Sequence, residues 1–253
     1  MTRTIADLLD GNLAHADAYA DRFDDLQNAQ HPDAVSVCCS DSRVLQDELW
    51  GNDDPGRVFT VGNIGNRVVQ RSRDGETVVS GDVLYPLAYT GTKTAVVVGH
   101  TGCGAVTATY DAVRADRQAA SDAPGVAGDG STPADAPDPV PADRHPAGVR
   151  RCIELLRPRV APGVDELPAD LTHADAVNHL VEYNVDRQVE ALRDSADVPD
   201  DVGVFGVVYD FQDVYGGARG EVHVVNVDGE RDPERIRDAN PDVDDRVTRR
   251  FQY

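Results

Sequence analysis

Residues 94–99 read Thr-Ala-Val-Val-Val-Gly, with no polar side chain after the threonine. A strand with one wet face alternates apolar and polar residues, so an unbroken β-branched run requires cover on both faces, as inside a parallel sheet. Ala34–Cys39 and Arg57–Val61 have the same character and are bounded by Pro, Gly or Asp. Residues 76–89, 105–117, 150–156 and 174–193 read as helices, the last with Val177, Leu180, Val181, Tyr183, Asn184, Val185, Val189 and Leu192 on a broad, largely apolar face. Strands alternating with helices predict βαβ units and a doubly wound α/β fold: a mostly parallel central β-sheet flanked by helices. Residues 202–211 and 221–227 add two strands joined by Asp-Val-Tyr-Gly-Gly-Ala-Arg-Gly, a C-terminal antiparallel hairpin. Ile5, Leu8, Leu9 and Leu13 recur at helical spacing within 4–26 and predict an N-terminal arm whose apolar side lies on a partner.

Residues 121–146 interrupt this pattern with six of the fifteen prolines, three glycines, five aspartates and no aromatic side chain. Such a stretch buries too little apolar area to offset chain entropy, and it reads as a mobile acidic surface insertion. The expected organisation is therefore a helical arm over 1–30, an α/β domain over 31–228 and a charged tail over 229–253.

Composition narrows the partners. Forty-five acidic against 24 basic residues give a formal charge of −21, a field that repels phosphate backbones and anionic lipid alike. No apolar run approaches the roughly 20 residues of a spanning helix, and no signal-peptide order opens the chain, so the reading is cytoplasmic. Lys93 is the only lysine. Acidity with arginine in place of lysine fits adaptation to high salt, where counterions screen the self-repulsion, although a GC-rich genome would also deplete lysine. Four cysteines, Cys38, Cys39, Cys103 and Cys152, are too few and too scattered for a disulfide scaffold.

The chemistry sits at two strand ends. The first run continues into Cys39-Ser40-Asp41-Ser42-Arg43, and the Thr94–Gly99 run into His100-Thr101-Gly102-Cys103-Gly104. In a parallel sheet the carboxyl ends of strands share one edge, so Cys39, His100 and Cys103 can converge although the first two are 61 positions apart. Two thiolates and an imidazole suit tetrahedral zinc, and three protein ligands leave a position for water whose pKa the metal lowers. Thiolates donate charge and weaken that acidification. Asp41 held by Arg43 can compensate by accepting a hydrogen bond from the nucleophile. Gly104 allows close backbone approach to an anion. Each motif alone has a plainer explanation: a strand-end histidine and a buried thiol, or an N-cap serine beside a surface ion pair. Their joint occurrence after two buried strands is what favours metal.

Cys-Ser-Asp-Ser-Arg-Val at 39–44 and Gly-His-Thr-Gly-Cys-Gly-Ala-Val at 99–106 resemble, in residues and spacing, the motifs of the β-class carbonic anhydrases, zinc enzymes that interconvert carbon dioxide and bicarbonate. Weaker agreement extends from Gln30 to the hairpin near Tyr209. The resemblance implies Cys39, His100 and Cys103 as zinc ligands and Asp41–Arg43 as the catalytic dyad. It also implies Gln30 as a hydrogen-bonding contact to substrate oxygen, and Phe59, Ile64 and Tyr85 as lining of the carbon dioxide pocket. A homodimer is the implied minimal unit, tetramers being possible, with the arm over a neighbour and pockets at the interface. Gly62 stands where the family usually has arginine, and Ser36 where one subgroup has a tryptophan for regulatory bicarbonate. A regulatory anion site is therefore not expected, and Asp41 should pair with Arg43 rather than close on the metal. Two other functions remain open: a related zinc hydrolase acting on an analogue such as carbon disulfide, and a non-catalytic interaction protein stabilised by zinc. His31, beside Gln30, is the one proton-relay candidate.

Overall fold

A computed structural model describes residues 5–121 and 142–253. The acidic insertion read over 121–146 lies for the most part outside the described residues. Helix α1 (Ile5–Tyr19) runs into a 3-10 segment, Ala20–Leu26, and none of its residues is buried. The chain then enters β1 (Ala34–Cys39), β2 (Val58–Asn63), and a small antiparallel pair, β3 (Val69–Arg71) with β4 (Thr77–Val79). Next come α2 (Gly81–Tyr89), β5 (Thr94–His100) and α3 (Gly104–Ser121). After the undescribed stretch follow α4 (Ala147–Asp165), α5 (His173–Arg193), β6 (Gly203–Asp210), β7 (Glu221–Val227) and α6 (Pro233–Ala239).

The five-stranded sheet has the order β2-β1-β5-β6-β7, parallel throughout except for the last pair. β1 and β5 are therefore central neighbours whose carboxyl ends finish side by side, as the apolar runs require. Val35, Val37, Ala95, Val97 and Val204 point into the main core with α2–α5, where Leu156, Leu180, Val185 and Leu192 are almost wholly buried. The opposite face is thinner: Cys38, Val44, Val98 and Val207 are covered by Leu49 and Trp50. Strand alternation thus sends adjacent Cys38 and Cys39 to different clusters.

The expected helix over 76–89 is corrected at its start. Thr77–Val79, carrying two β-branched valines after a Gly75 turn at φ +86°, pairs with β3, and helix begins only at Gly81. The helix expected over 150–156 instead runs from Ala147 to Asp165 through Pro158 and Pro162. Proline removes one ladder donor at each point, but burial of Leu155, Leu156 and Val160 carries the segment onward. The residues beyond Gly229, read as a charged tail, fold back: α6 is capped by Asp232, and Phe251 is only 1% exposed.

Candidate metal centre

The ends of β1 and β5 bring Cys39, His100 and Cys103 together, with a ligand atom of each within 4.8 Å of the others. All three are buried, so two thiols and an imidazole face one another away from water. His100 Nδ1 lies 2.9 Å from the Thr101 carbonyl, which accepts its proton and leaves Nε2 as the lone-pair nitrogen. That Nε2 is buried without a hydrogen-bond partner. An orphaned acceptor between two sulfurs is costly unless a cation satisfies it, so the donor set fits a thiophilic ion such as zinc. The Cys103 thiol beside it lowers the Cys39 pKa, with help from His100 and the Gly65 amide. The same contact and burial raise Cys103.

Gly65 makes this geometry possible. Its φ is +81°, and a Cβ there would sit 2.6 Å from Leu156 Cδ1. Gly65→Ala is expected to destabilise the protein by on the order of 2 kcal/mol through backbone strain and overpacking. Thermal unfolding measures the loss, and an unchanged melting temperature contradicts the assignment.

Asp41 and Arg43 stand at the rim. Asp41 Oδ1 accepts from the Arg43 backbone N–H at 3.0 Å and from Nε at 2.8 Å, while Oδ2 accepts from Nη2 at 2.7 Å. This fork holds the Asp41 carboxyl well below the usual carboxylate range. Asp41 Oδ2 lies 3.9 Å from His100 Nε2. Arg43 Nη2 also donates to the Gly102 carbonyl at 3.3 Å, tying the first motif to the second. Phe211, which sequence reasoning missed, stacks on His100 at 5.7 Å and lies under the Arg43 guanidinium at 4.5 Å. Asp210, also missed, accepts from Thr101 Oγ1 and from the Gln212, Val214 and Tyr215 N–H groups. An acidic and aromatic pair at the end of β6, next to β5 in the sheet, was the available signal.

The remaining candidates are dispersed. Gln30 and His31 are exposed, with His31 Nδ1 3.4 Å from the Thr90 carbonyl. Phe59 is partly buried and packs against Tyr85 at 6.1 Å, while Ile64 and Tyr85 remain 45% and 49% exposed in the single chain. The space where a Cβ of Gly104 would sit is open. Ser36 is buried and accepts from the Trp50 indole N–H at 3.1 Å. A Cβ on Gly62 would meet the Gln46 amide at 2.8 Å, so a larger side chain there would have to displace Gln46.

Residues 34–125 match the family profile described as carbonic anhydrase. A carbonic anhydrase of Pseudomonas aeruginosa is 39% identical over 104 residues, 40% of this chain and 46% of that protein. The chain spans less than half the length of the curated carbonic anhydrases it matches first. Around that segment the fold is that of the β class. A β-carbonic anhydrase of Coccomyxa superposes with a TM-score of 0.65 at 22% identity, over 94% of this chain and 92% of that one. A tetrameric β-carbonic anhydrase of Sordaria macrospora gives 0.60 at 20% identity, over 88% and 96%.

Proposed function

We propose that this chain is a zinc-dependent carbonic anhydrase that reversibly hydrates carbon dioxide to bicarbonate and a proton. The observation that carries the reading is the meeting of Cys39, His100 and Cys103 in one buried cluster with a forked Asp41–Arg43 pair at its rim. Cys39, His100 and Cys103 would hold the ion, which supplies Lewis acidity toward a coordinated water. Asp41 accepts the proton of the incoming nucleophile's hydrogen bond and so aims its lone pair, and Arg43 keeps Asp41 ionised and fixed. Phe59, Ile64 and Tyr85 exclude water from the approach of an apolar substrate. Gln30 and the Gly104 N–H are the donors for product oxygen. A dyad of this kind has no use around a purely structural ion, which weighs against the interaction-protein reading.

The active unit we propose is a homo-oligomer. The bare apolar side of α1 and the half-exposed Ile64 and Tyr85 support it, as does the tetrameric relative of like fold. We assign 1–30 as the arm, 31–228 as the catalytic domain and 229–253 as a closing segment. No helix among the described residues is long and apolar enough to cross a membrane. A cytoplasmic place and a high-salt medium are part of the proposal, the latter resting on the −21 charge.

The test is zinc stoichiometry together with stopped-flow hydration of carbon dioxide in one preparation, at molar salt and after dilution, with carbon disulfide as the competing substrate. One zinc per chain and hydration that declines on dilution are expected. Stoichiometric zinc without hydration, or turnover of carbon disulfide alone, overturns the activity.

A further inference from the structure

Three side-chain amides lie buried along α5: Asn178, Asn184 and Gln188. A buried amide is tolerated only when its donors and acceptors are used, and a lost partner costs about 1–3 kcal/mol. These three are used on both sides of the metal cluster. Asn178 Oδ1 accepts from the Gly102 N–H at 2.9 Å, inside the turn between His100 and Cys103. Asn184 Nδ2 donates to the Gly65 carbonyl at 3.4 Å and to Asn66 Oδ1 at 3.1 Å. Gln188 Nε2 donates to Asn184 Oδ1 at 3.0 Å, and its Oε1 accepts from the Val68 N–H at 3.0 Å.

The second turn follows Asn63, the β2 residue paired with Cys39 in the sheet, and its Gly65 is left-handed at φ +81°. Asn66 within it sits at φ +44° with its Nδ2 buried and unpaired, a backbone state that persists only where the surroundings over-determine it. Gly102, on the other side, is also left-handed at φ +60°. The first turn keeps one bond to β6, from the Thr101 N–H to the Tyr209 carbonyl, and the second is braced by the Asn63 side chain on Arg67, but both are also pinned to the same helix, far away in sequence.

We propose, on the footing that Cys39, His100 and Cys103 are the metal ligands, that Asn178, Asn184 and Gln188 are positioning residues. Asn178 sets the His100–Cys103 turn, and the Asn184–Gln188 pair sets the Gly65–Val68 turn. The spacing between the Cys39 side and the His100–Cys103 side is thereby fixed by one helix before the ion arrives. Loss of one amide loosens the ligand set rather than the fold as a whole, because outer partners of metal ligands carry about 10–100-fold in affinity.

The experiment compares the full chain with Asn178→Leu, which keeps the volume and deletes the acceptor, and with Asn178→Asp, which keeps an acceptor oxygen. Zinc loss to excess EDTA is timed, the visible spectrum of the cobalt-loaded protein is recorded, and thermal unfolding is followed in the metal-free state. Asn178→Leu should release zinc roughly 10–100-fold faster, with altered cobalt bands and a metal-free melting curve close to the parent's. Asn178→Asp should restore retention and spectrum. A folded Asn178→Leu that keeps zinc as long as the parent overturns the proposal. So does collapse of both Asn178→Leu and the milder Asn178→Ser, which would make the amide part of the core alone. Cys103→Ser that retains stoichiometric zinc instead defeats the ligand assignment beneath it.

Discussion

Replacing Arg249 by methionine is expected to cost about 3–5 kcal/mol of stability, lowering the melting temperature by on the order of 10 °C. Arg249 is almost wholly buried between two carboxylates whose side chains have no exposed surface, Asp186 and Glu182. Its Nη2 meets Asp186 Oδ2 at 2.6 Å, and its Nε lies 3.9 Å from Glu182 Oε2. Asn226 and the Tyr253 hydroxyl, each at 2.7 Å, complete the shell of Asp186. Glu182 accepts from the Tyr215 hydroxyl and from the Arg250 and Phe251 N–H groups. Methionine matches much of the arginine stem but leaves two negative groups buried with no cation, which is far worse than never having had the pair.

The pH dependence gives the second signature. Burial raises the Glu182 pKa above its ordinary 4.5, although Tyr215 and Arg249 pull the other way. The native state therefore holds this proton more tightly than the unfolded chain does, so stability falls as pH rises through the folded pKa. Without Arg249 the rise is larger, and the deficit should shrink as the pH is lowered and Glu182 takes up its proton. Denaturant unfolding at several pH values measures this, and a deficit independent of pH would contradict the role given to Glu182.

Asp41→Asn is the other large effect. Asparagine retains one oxygen for the Arg43 backbone N–H but turns an NH2 group toward Nη2, setting donor against donor where Oδ2 now accepts at 2.7 Å. The fork opens and the rim loses its acceptor. Cys39, His100 and Cys103 are untouched, so zinc content should stay at the parent level while hydration turnover falls by about 10²–10⁴-fold. Stopped-flow rates beside metal analysis decide it. Turnover near the parent value removes Asp41 from the reaction, and loss of zinc would make it a ligand or a support.

Most of what places the metal centre could be read from the chain, because it depends on local pattern. Unbroken apolar runs identified β1, β2 and β5, and parallel pairing alone brings Cys39 beside His100 and Cys103. What stayed hidden depends on distant partners. The Thr77–Val79 strand is too short for periodicity to show and exists because β3 pairs with it. α4 survives two prolines because of the core it covers, which no local propensity records. The residues after Gly229 looked like a solvated tail, since Arg249, Arg250 and Tyr253 carry charge or hydroxyl. Their partners Glu182 and Asp186 are acidic residues in the middle of α5, at positions that the helix's broad apolar face gave no reason to single out. Phe211 and the amides of α5 are legible only once the sheet order puts β6 beside β5.

The adjacency of β1 and β5 also governs when the centre can come into being. Parallel strands cannot close through a tight turn, and here β2 and α2 must be traversed before the second partner emerges. Loop-closure entropy makes such distant pairing slow relative to helix formation. A growing polypeptide that has exposed only Cys39 has a single donor, and a chain extended through Cys103 still has two halves until the central strands dock. Ion capture thus marks the end of assembly rather than its nucleus, and before that moment the thiols are open to oxidants that the finished interior excludes.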